Sequence, residues 1–245
     1  MENINKTLEE TIYNTLRTDI LNLKLRPGMM ISIRDISEAY DVGRTPARDA
    51  LIQLSKESLI TFLPQRGTMI SKINYEKVKN ERFIRTCVEE NVMHEFLAIS
   101  NITAITELEL SMDRQKVLAK NDDIRGFFVE DMYFHSIFYE YTNRGYCNGL
   151  LNSKFGNYNR FNLLSLRHLG IINQVFIQHK QLLDAILSKD ARRMNAIFSQ
   201  HMYGLKNQEK TILTEFSDLF DFEQDEVKRT SEALTADFFV EAKMK

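Results

Sequence analysis

Residues 36–51 read ISEAYDVGRTPARDAL, and they carry the signals of two short helices on either side of a tight turn. Just upstream, Ser32 followed by Asp35 predicts a capped helix start, because a serine side chain accepts a hydrogen bond from the first helical turn. The second helix is predicted to begin within 43–46, where Pro46 fits a first turn. The stretch therefore predicts a helix, a turn and a second helix in direct succession.

The flanking segments complete a compact N-terminal domain, the head. A first helix is predicted to start at Thr7, with Glu10 three residues later as in a capping box, and to end before Arg26–Gly28. Its predicted buried face repeats every four residues, at Leu8, Ile12, Leu16 and Ile20. After Leu59, helical spacing gives way to apolar alternation around a turn at 64–67, which predicts a hairpin. Three short helices followed by a β-hairpin describe a winged helix-turn-helix.

The charge of the chain is unevenly distributed. The whole chain has 245 residues and a net charge of −2, which taken alone argues against a nucleic-acid-binding protein. Residues 24–72, however, hold eight basic and five acidic residues, a balance of +3, so the remainder carries −5. The predicted head is therefore modestly basic and the rest of the chain is acidic.

The remainder of the chain has the composition of packed helices. All three prolines lie in the first 64 residues, and only nine glycines occur, which disfavours a sheet-rich fold. No apolar run approaches the ~20 residues of a membrane span, and the N-terminus lacks the features of a signal peptide. Cys87 and Cys147 form neither a metal-type pair nor a disulfide framework, so the cytoplasm is the simplest compartment. We expect a mainly α protein, with a winged head and an all-α helical bundle.

The head resembles the DNA-binding domain of the GntR family. The resemblance rests on a proline-glycine turn at 27–31, on 36–51 with its arginine-threonine-proline-alanine-arginine core, on 54–60, and on Arg66–Gly67 at the wing. One departure is Gly43, which stands where the family usually has serine, so a capping hydroxyl is lost. The resemblance implies that this domain binds double-stranded DNA.

Several residues of the head are predicted to contact DNA. Arg44 and Arg48 are four residues apart on one helical face, and an arginine fork can bind guanine O6 and N7 together. A solvated helix face is the alternative interpretation of such a pair. From the family resemblance, the preceding helix, the recognition helix and the wing tip all contribute. The predicted DNA-binding residues are Arg34, Arg44, Thr45, Arg48, Arg66 and Gly67.

Two histidine patterns in the C-terminal half are compatible with a metal site. Asp131 and His135 are four residues apart, so a helix projects both from one side. His179 and His201 each lie eleven residues from Asp190, which is a plausible helix cap. An antiparallel helix hairpin around Asp190 would place the two histidines level. The i, i+4 pair taken alone is more often structural than metal-binding.

The same half resembles the FCD effector domain of the FadR subfamily, over roughly residues 75–210. The resemblance rests on the segments 131–135 and 178–190 and on a terminal histidine at 201. It implies a divalent metal held by Asp131, His135, His179 and His201, for which Zn²⁺, Ni²⁺ or Mn²⁺ suits the donors and Zn²⁺ is favoured. Gln178 stands where the family usually has glutamate, at a position that is not a ligand.

One arginine is predicted to contact the effector. Arg85 matches a cavity-facing arginine of the family, and a guanidinium beside a metal can hold the carboxylate of an organic acid. Alternatively, Arg85 and Glu89 form a surface ion pair at i, i+4. His94 is predicted to lie on the opposite side of that helix, and His168, like both cysteines, is interpreted as structural or exposed.

The predicted domains are a head at 1–73, an effector-binding and dimerisation domain at 74–215 and a C-terminal extension at 216–245. The extension begins acidic and ends in an apolar patch at 236–240. A helix that packs on a partner subunit and a solvated helix are both compatible with this pattern.

The resemblance implies a cytoplasmic, homodimeric transcription regulator, most commonly a repressor, that binds a palindromic operator and senses a small organic acid through a metal. No membrane partner and no catalytic activity are expected. The main alternative is a metal-dependent enzyme that uses the three histidines and the aspartate, although no general base stands out near them. A third interpretation is a regulator whose histidines are structural and hold no metal.

Overall fold

The computed structural model describes residues 2–204 and 206–222, with the side chains of 2–7, 9 and 206–208 left undescribed. Within these ranges eleven α-helices and five short strands follow one another along the chain. The helices are α1 Glu2–Leu21, α2 Ile33–Ala39, α3 Arg44–Lys56, α4 Tyr75–Ile99, α5 Ile102–Lys120, α6 Ile124–Tyr141, α7 Gly145–Lys154, α8 Gly156–Leu169, α9 Ile172–Leu187, α10 Ala191–Tyr203 and α11 Lys206–Glu215. The strands are β1 Met30–Ile31, β2 Ile60–Leu63, β3 Gly67–Ile70, β4 Ile73–Asn74 and β5 Phe220–Asp221.

The head is a winged helix-turn-helix, as predicted. Helices α1, α2 and α3 enclose an apolar core with a three-stranded antiparallel sheet in the order β1-β3-β2. Strand β1 is an addition that the sequence did not predict, because two residues are too few to show alternation. It follows a turn in which Gly28 has φ +84°, a conformation that favours glycine.

Helix α2 begins with the predicted cap. The Ser32 hydroxyl accepts from the Asp35 amide, and the Asp35 carboxylate accepts from the Ser32 amide. Helix α1, in contrast, begins at Glu2, so the predicted start at Thr7 was wrong. Residues 2–6 contain no proline or glycine, and a helix propagates readily through such a segment despite a capping signal further along. Ile12, Leu16 and Ile20 are buried as expected.

Helices α4–α11 form an all-α bundle. Helix α5 packs against α6 and α9, α10 packs against α9 and α4, and α4 packs against α8. The bundle core is rich in phenylalanine, with edge-to-face contacts such as Phe96 against Phe138. Within the described ranges, no helix combines the length and apolar character that a membrane span requires.

The described end of the chain joins the bundle. Strand β5 pairs in parallel with β4, which connects the head to α4. Leu219 and Phe220 are buried in the bundle core. The first residues of the predicted extension therefore pack on the helical domain, and 223–245, including the apolar patch, lie outside the described residues.

A buried arginine holds the junction between the head and the bundle. Arg160 on α8 is fully buried and donates to the carbonyls of Ser71, at 2.6 Å, and Gly156, at 3.0 Å. Burial lowers its pKa to about 10, which the nearby Glu81 carboxylate opposes. Gly156 also allows close approach, because a Cβ there would lie 2.7 Å from Leu59 of the head. The head therefore rests on the start of α8.

Candidate DNA-binding surface and metal centre

The recognition helix α3 presents its basic residues to solvent. Its N-cap, Gly43, makes no side-chain capping bond, as expected from the missing hydroxyl. Arg44, Thr45 and Arg48 are exposed, whereas the opposite face of α3 is buried in the head core. Among described residues, Arg48 forms no side-chain hydrogen bond or ion pair, so its guanidinium is available to a ligand.

A broad groove runs between α3 and the wing. It is lined by five of the six predicted DNA-binding residues, namely Arg34, Arg44, Thr45, Arg48 and Gly67. The sixth, Arg66, is exposed in the wing turn, where Gln65 has φ +60° and Gly67 has φ +106°. Arg34 forms an exposed ion pair with Glu38 at 2.7 Å. The groove therefore joins the recognition helix and the wing in one basic surface.

Four predicted metal ligands meet inside the bundle. Asp131 and His135 project from α6, His179 from α9 and His201 from α10. One ligand atom from each lies within 4.8 Å of the others. The Asp190 side chain caps α10, and the helix hairpin brings the rings of His179 and His201 to 4.7 Å between centroids. The fold therefore brings residues that lie up to about 70 positions apart in the sequence to one point in space.

A second layer of residues orients the three imidazoles. His179 Nδ1 donates to Gln115 Oε1 at 2.7 Å, and His201 Nδ1 donates to Gln178 Oε1 at 3.1 Å. His135 Nδ1 contacts the Glu89 carboxylate. With each Nδ1 engaged, the Nε2 atoms face the centre, and those of His135 and His179 are buried without a hydrogen-bond partner among the described residues. Buried imidazole nitrogens and a carboxylate aimed at one point fit a divalent metal ion.

Burial keeps two of the histidines neutral, which is the form that binds metals. Burial first, and then the charges of the neighbouring histidines and Arg85, lower the pKa of His179 well below its usual value. Burial, His135 and Arg85 lower the pKa of His201 to about 3, although the Glu89 carboxylate acts to raise it. Burial raises the pKa of Asp131, opposed by His135 and Arg85. The cluster is therefore a costly assembly of desolvated polar groups that a bound cation would stabilise.

Arg85 lies beside this centre and is buried. Its Nε donates to Glu89 Oε2 at 3.0 Å, and its guanidinium lies over the Tyr158 ring, 5.5 Å from the centroid. The ion pair between Arg85 and Glu89 given as the alternative interpretation therefore exists, but its placement on the surface was wrong, because α4 packs this face against α6 and α8. Burial disfavours the Glu89 charge, but His135 and Arg85 outweigh it and lower its pKa to about 2.

The other histidines and the cysteines lie away from the centre. His94 is exposed, and the exposed His168 ring lies 4.0 Å from Phe216. Cys87 is exposed and Cys147 half-buried, and both are free thiols. The sequence does not indicate the orienting roles of Glu89, Gln115 and Gln178, although it offers Glu89 as a partner for Arg85.

Known proteins match both halves of this architecture. Residues 8–70 match the bacterial regulatory proteins of the gntR family, and residues 83–204 match the FCD domain. The transcriptional repressor RspR of Escherichia coli K12 is 25% identical over 218 residues, which cover 89% of this chain and 96% of that protein.

Solved structures share the fold. Escherichia coli McbR/YncC has a TM-score of 0.72 at 14% identity and covers 83% of this chain and 97% of its own. The structure of a GntR transcriptional regulator from Rhodococcus sp. RHA1 has a TM-score of 0.71 at 20% identity. It covers 85% of this chain and 98% of its own. With a winged head, a helical effector-binding domain and matches to both, the chain belongs to the GntR family of transcription regulators.

Proposed function

We propose that this regulator senses a small carboxylate through a divalent metal ion held in its helical domain, with Zn²⁺ favoured. The observation that carries the proposal is the convergence of the four ligand atoms within 4.8 Å, with each imidazole oriented from its other nitrogen. Three imidazoles and one carboxylate suit Zn²⁺, Ni²⁺ or Mn²⁺. A divalent ion bound there supplies positive charge and open coordination positions for a ligand carboxylate.

Arg85 supports the ligand from the protein side. Within the described ranges, Arg85 donates a hydrogen bond only from its Nε, to Glu89, so its terminal nitrogens remain available to a carboxylate bound beside the cluster. Glu89 in turn holds both Arg85 and the His135 ring in place. We therefore assign effector binding to Arg85, and to Glu89 the positioning of Arg85 and His135.

On the DNA side, we propose that α3 reads bases from the major groove and that the wing approaches the backbone or the minor groove. Arg44 and Arg48 would reach base edges, whereas Arg34 and Thr45 would support the recognition helix. At the wing, Arg66 brings positive charge and Gly67 permits close backbone approach.

The chain is proposed to act as a homodimeric repressor in the cytoplasm. Two heads bound to the half-sites of a palindrome would match a two-fold symmetric dimer. We retain the division into a head at 1–73, an effector-binding and dimerisation domain at 74–215 and an extension from 216. The two family matches, at 8–70 and 83–204, fall inside the first two segments and support this division.

The connection between the two functions is proposed to run through α7. This helix supplies one wall of a small cavity against the Arg85–Glu89 pair. The carbonyl of Asn152, near its end, also accepts a hydrogen bond at 2.5 Å from Arg17 on α1 of the head. A ligand that moves α7 therefore changes the hydrogen bond that holds the head against the bundle. In a dimer, this change would alter the distance between the two recognition helices.

Arg17→Ala is expected to loosen α7. The substitution removes a charge-assisted hydrogen bond to the Asn152 carbonyl, a loss of about 1.5 kcal/mol or roughly tenfold in local opening. We expect hydrogen exchange of the amides in 145–154 to accelerate by that factor. The matched control is Arg26→Ala, which also breaks a contact between head and bundle, to the exposed Asp218. Equal exchange in both variants would contradict a route through α7.

The sensor proposal is tested by calorimetric titration of the zinc-loaded chain with small carboxylates, followed by analysis of the mixture for products. We expect saturable binding and unchanged ligand. Formation of product at a steady rate would instead favour the metal-dependent enzyme.

A further inference from the structure

An open groove separates the wing sheet from the first turn of the helical bundle. Its volume is about 740 Å³. Strands β2 and β3 supply one wall, and β4, β5 and the start of α4 supply the other. The lining combines apolar side chains, Phe62 and Met69, with two lysines, Lys72 and Lys77. Phe62 also lines the groove between α3 and the wing, so the two grooves adjoin at β2.

The two lysines of this groove lack a counter-charge. Among the described residues, neither ammonium group forms an ion pair or a side-chain hydrogen bond. Lys77 lies in the first turn of α4, where the free amides of the helix start add positive potential. The groove therefore favours an acidic occupant.

The last described residues of the chain lead into this groove. Strand β5 runs parallel to β4, so the chain beyond Asp221 heads towards the start of α4. Just before β5, Asp218 pairs with Arg26 of the head at 2.6 Å. Phe220 and Phe222 pack on the bundle core, whereas the Asp221 side chain lines the groove. The segment that follows Phe222 therefore starts beside the groove.

The first residues of that segment complement the charge of the groove. Glu223 and Asp225 continue the alternation that begins at Asp221, and an extended chain places alternate side chains on the same side. Together with Glu226 they bring three carboxylates next to the two unpaired lysines. Opposite charges on the segment and the groove thus favour contact between them.

The apolar patch at 236–240 has a counterpart on the wing. Met69 lies on the outer face of β3, in register with Met30 on one side and Thr61 on the other. Met30 and Phe62 are each 46% exposed, so apolar surface is available there. The intervening residues, 223–235, span up to about 45 Å when extended, more than the ~30 Å width of a small domain. The patch can therefore reach this face.

We propose that residues 223–240 dock in the groove between the wing and the bundle of their own chain. The acidic residues 223–226 bind Lys72 and Lys77, and the patch at 236–240 packs on the outer face of the wing sheet. Because β5 holds the start of the segment beside the groove, its effective concentration there is of the order of millimolar, which favours it over a partner's copy. The docked segment ties the wing to the start of α4 and restrains the orientation of the head.

Zero-length cross-linking of the full chain tests the acidic contact. A carbodiimide joins a lysine amine to a carboxylate when the two groups are in contact, and tandem mass spectrometry locates the joined residues. We expect products that link Lys72 or Lys77 to residues 223–226, and loss of these products at high salt. The matched control in the same sample is Lys120, an exposed lysine at the end of α5, which is expected to give no link to 223–226.

Isotope labelling shows which chain supplies the segment. Labelled and unlabelled chains are unfolded and refolded together before cross-linking, so that any dimer contains both. We expect links between 223–226 and the two lysines to join residues of the same isotopic composition. Links predominantly between labelled and unlabelled peptides would place the segment on a partner subunit and overturn the proposal.

Fluorescence tests the apolar contact. The sequence has no tryptophan, so Phe239→Trp introduces a single fluorophore into the patch. Docking predicts emission at a shorter wavelength than that of a free peptide of residues 223–240 with the same substitution. Adding Met69→Glu is expected to shift the emission to that of the peptide, because a carboxylate on this face opposes apolar burial. Val117→Glu, at an exposed valine of α5, is the matched control and keeps the shorter wavelength.

A second variant covers the case in which Met69→Glu does not fold. Thr61→Glu places the charge at an exposed position directly opposite Met69, and we expect the same shift of emission. Links from Lys120 as frequent as those from Lys72 and Lys77, or tryptophan emission equal to that of the free peptide, overturn the docking proposal. These results leave the proposed sensing intact, because zinc and effector binding are measured separately.

Discussion

Arg48→Ala is expected to weaken binding to the operator by about tenfold to a hundredfold while leaving the fold unchanged. Arg48 is exposed on α3 and lines the groove between the recognition helix and the wing. A bidentate contact from arginine to guanine contributes roughly 1–3 kcal/mol of discrimination. Fluorescence anisotropy with a duplex selected from a random library measures the loss at fixed salt, and circular dichroism checks the fold.

The matched control is Lys56→Ala. Lys56 is also basic, exposed and on α3, but it lies in the last turn and outside the groove lining. We expect this variant to bind the duplex within about threefold of wild type, because only long-range attraction is lost. An Arg48→Ala protein with the affinity and salt dependence of wild type would remove α3 from the recognition surface.

His179→Ala is expected to abolish stoichiometric zinc binding. His179 is fully buried, and its Nε2 lies 3.4 Å from Asp131 Oδ1 and has no hydrogen-bond partner in the described part of the chain. Loss of a residue that only orients a ligand typically costs 10–100-fold in metal affinity, so loss of the ligand itself is expected to exceed about a hundredfold. Equilibrium dialysis with elemental analysis should find one zinc ion per wild-type chain and none in the variant.

Thermal unfolding provides a second measure of the same site. A ligand at a hundred times its Kd stabilises a protein by about 2.7 kcal/mol, so zinc should raise Tm of wild type and leave that of His179→Ala unchanged. His168→Ala, which removes an exposed histidine on α8, should respond as wild type does. Wild-type protein that takes up no zinc would favour the interpretation in which the histidines are structural.

Local signals made the head predictable. The Ser32 cap, the proline in the first turn of α3 and the alternation after Leu59 each act within a few residues, and the helices and hairpin appear where these signals place them. The start of α1 was missed because a capping signal does not prevent a helix from beginning earlier. Strand β5 depends on pairing with β4, about 150 residues away, which no local pattern indicates.

The candidate metal centre was predictable only in part. The i, i+4 spacing placed Asp131 and His135 together, and the helix cap at Asp190 explained how His179 and His201 meet. The residues that orient the imidazoles carry weaker sequence signals. Gln115 lies 64 residues before His179 and carries no motif of its own, so its hydrogen bond depends on the packing of α5 against α9. Burial of the Arg85–Glu89 pair likewise follows from neighbouring helices, since i, i+4 spacing is the same on any face.

We expect that occupancy of the candidate metal centre by a small acid changes operator affinity. The most direct test is a titration of the selected duplex with zinc-loaded wild-type chain, with and without the low-molecular-weight acid fraction of the cells that produced it. We predict a change in operator Kd of at least about fivefold, the lower end of typical allosteric coupling, and no change for His179→Ala. The same operator Kd for wild type with and without the acid fraction would contradict coupling between this centre and DNA binding.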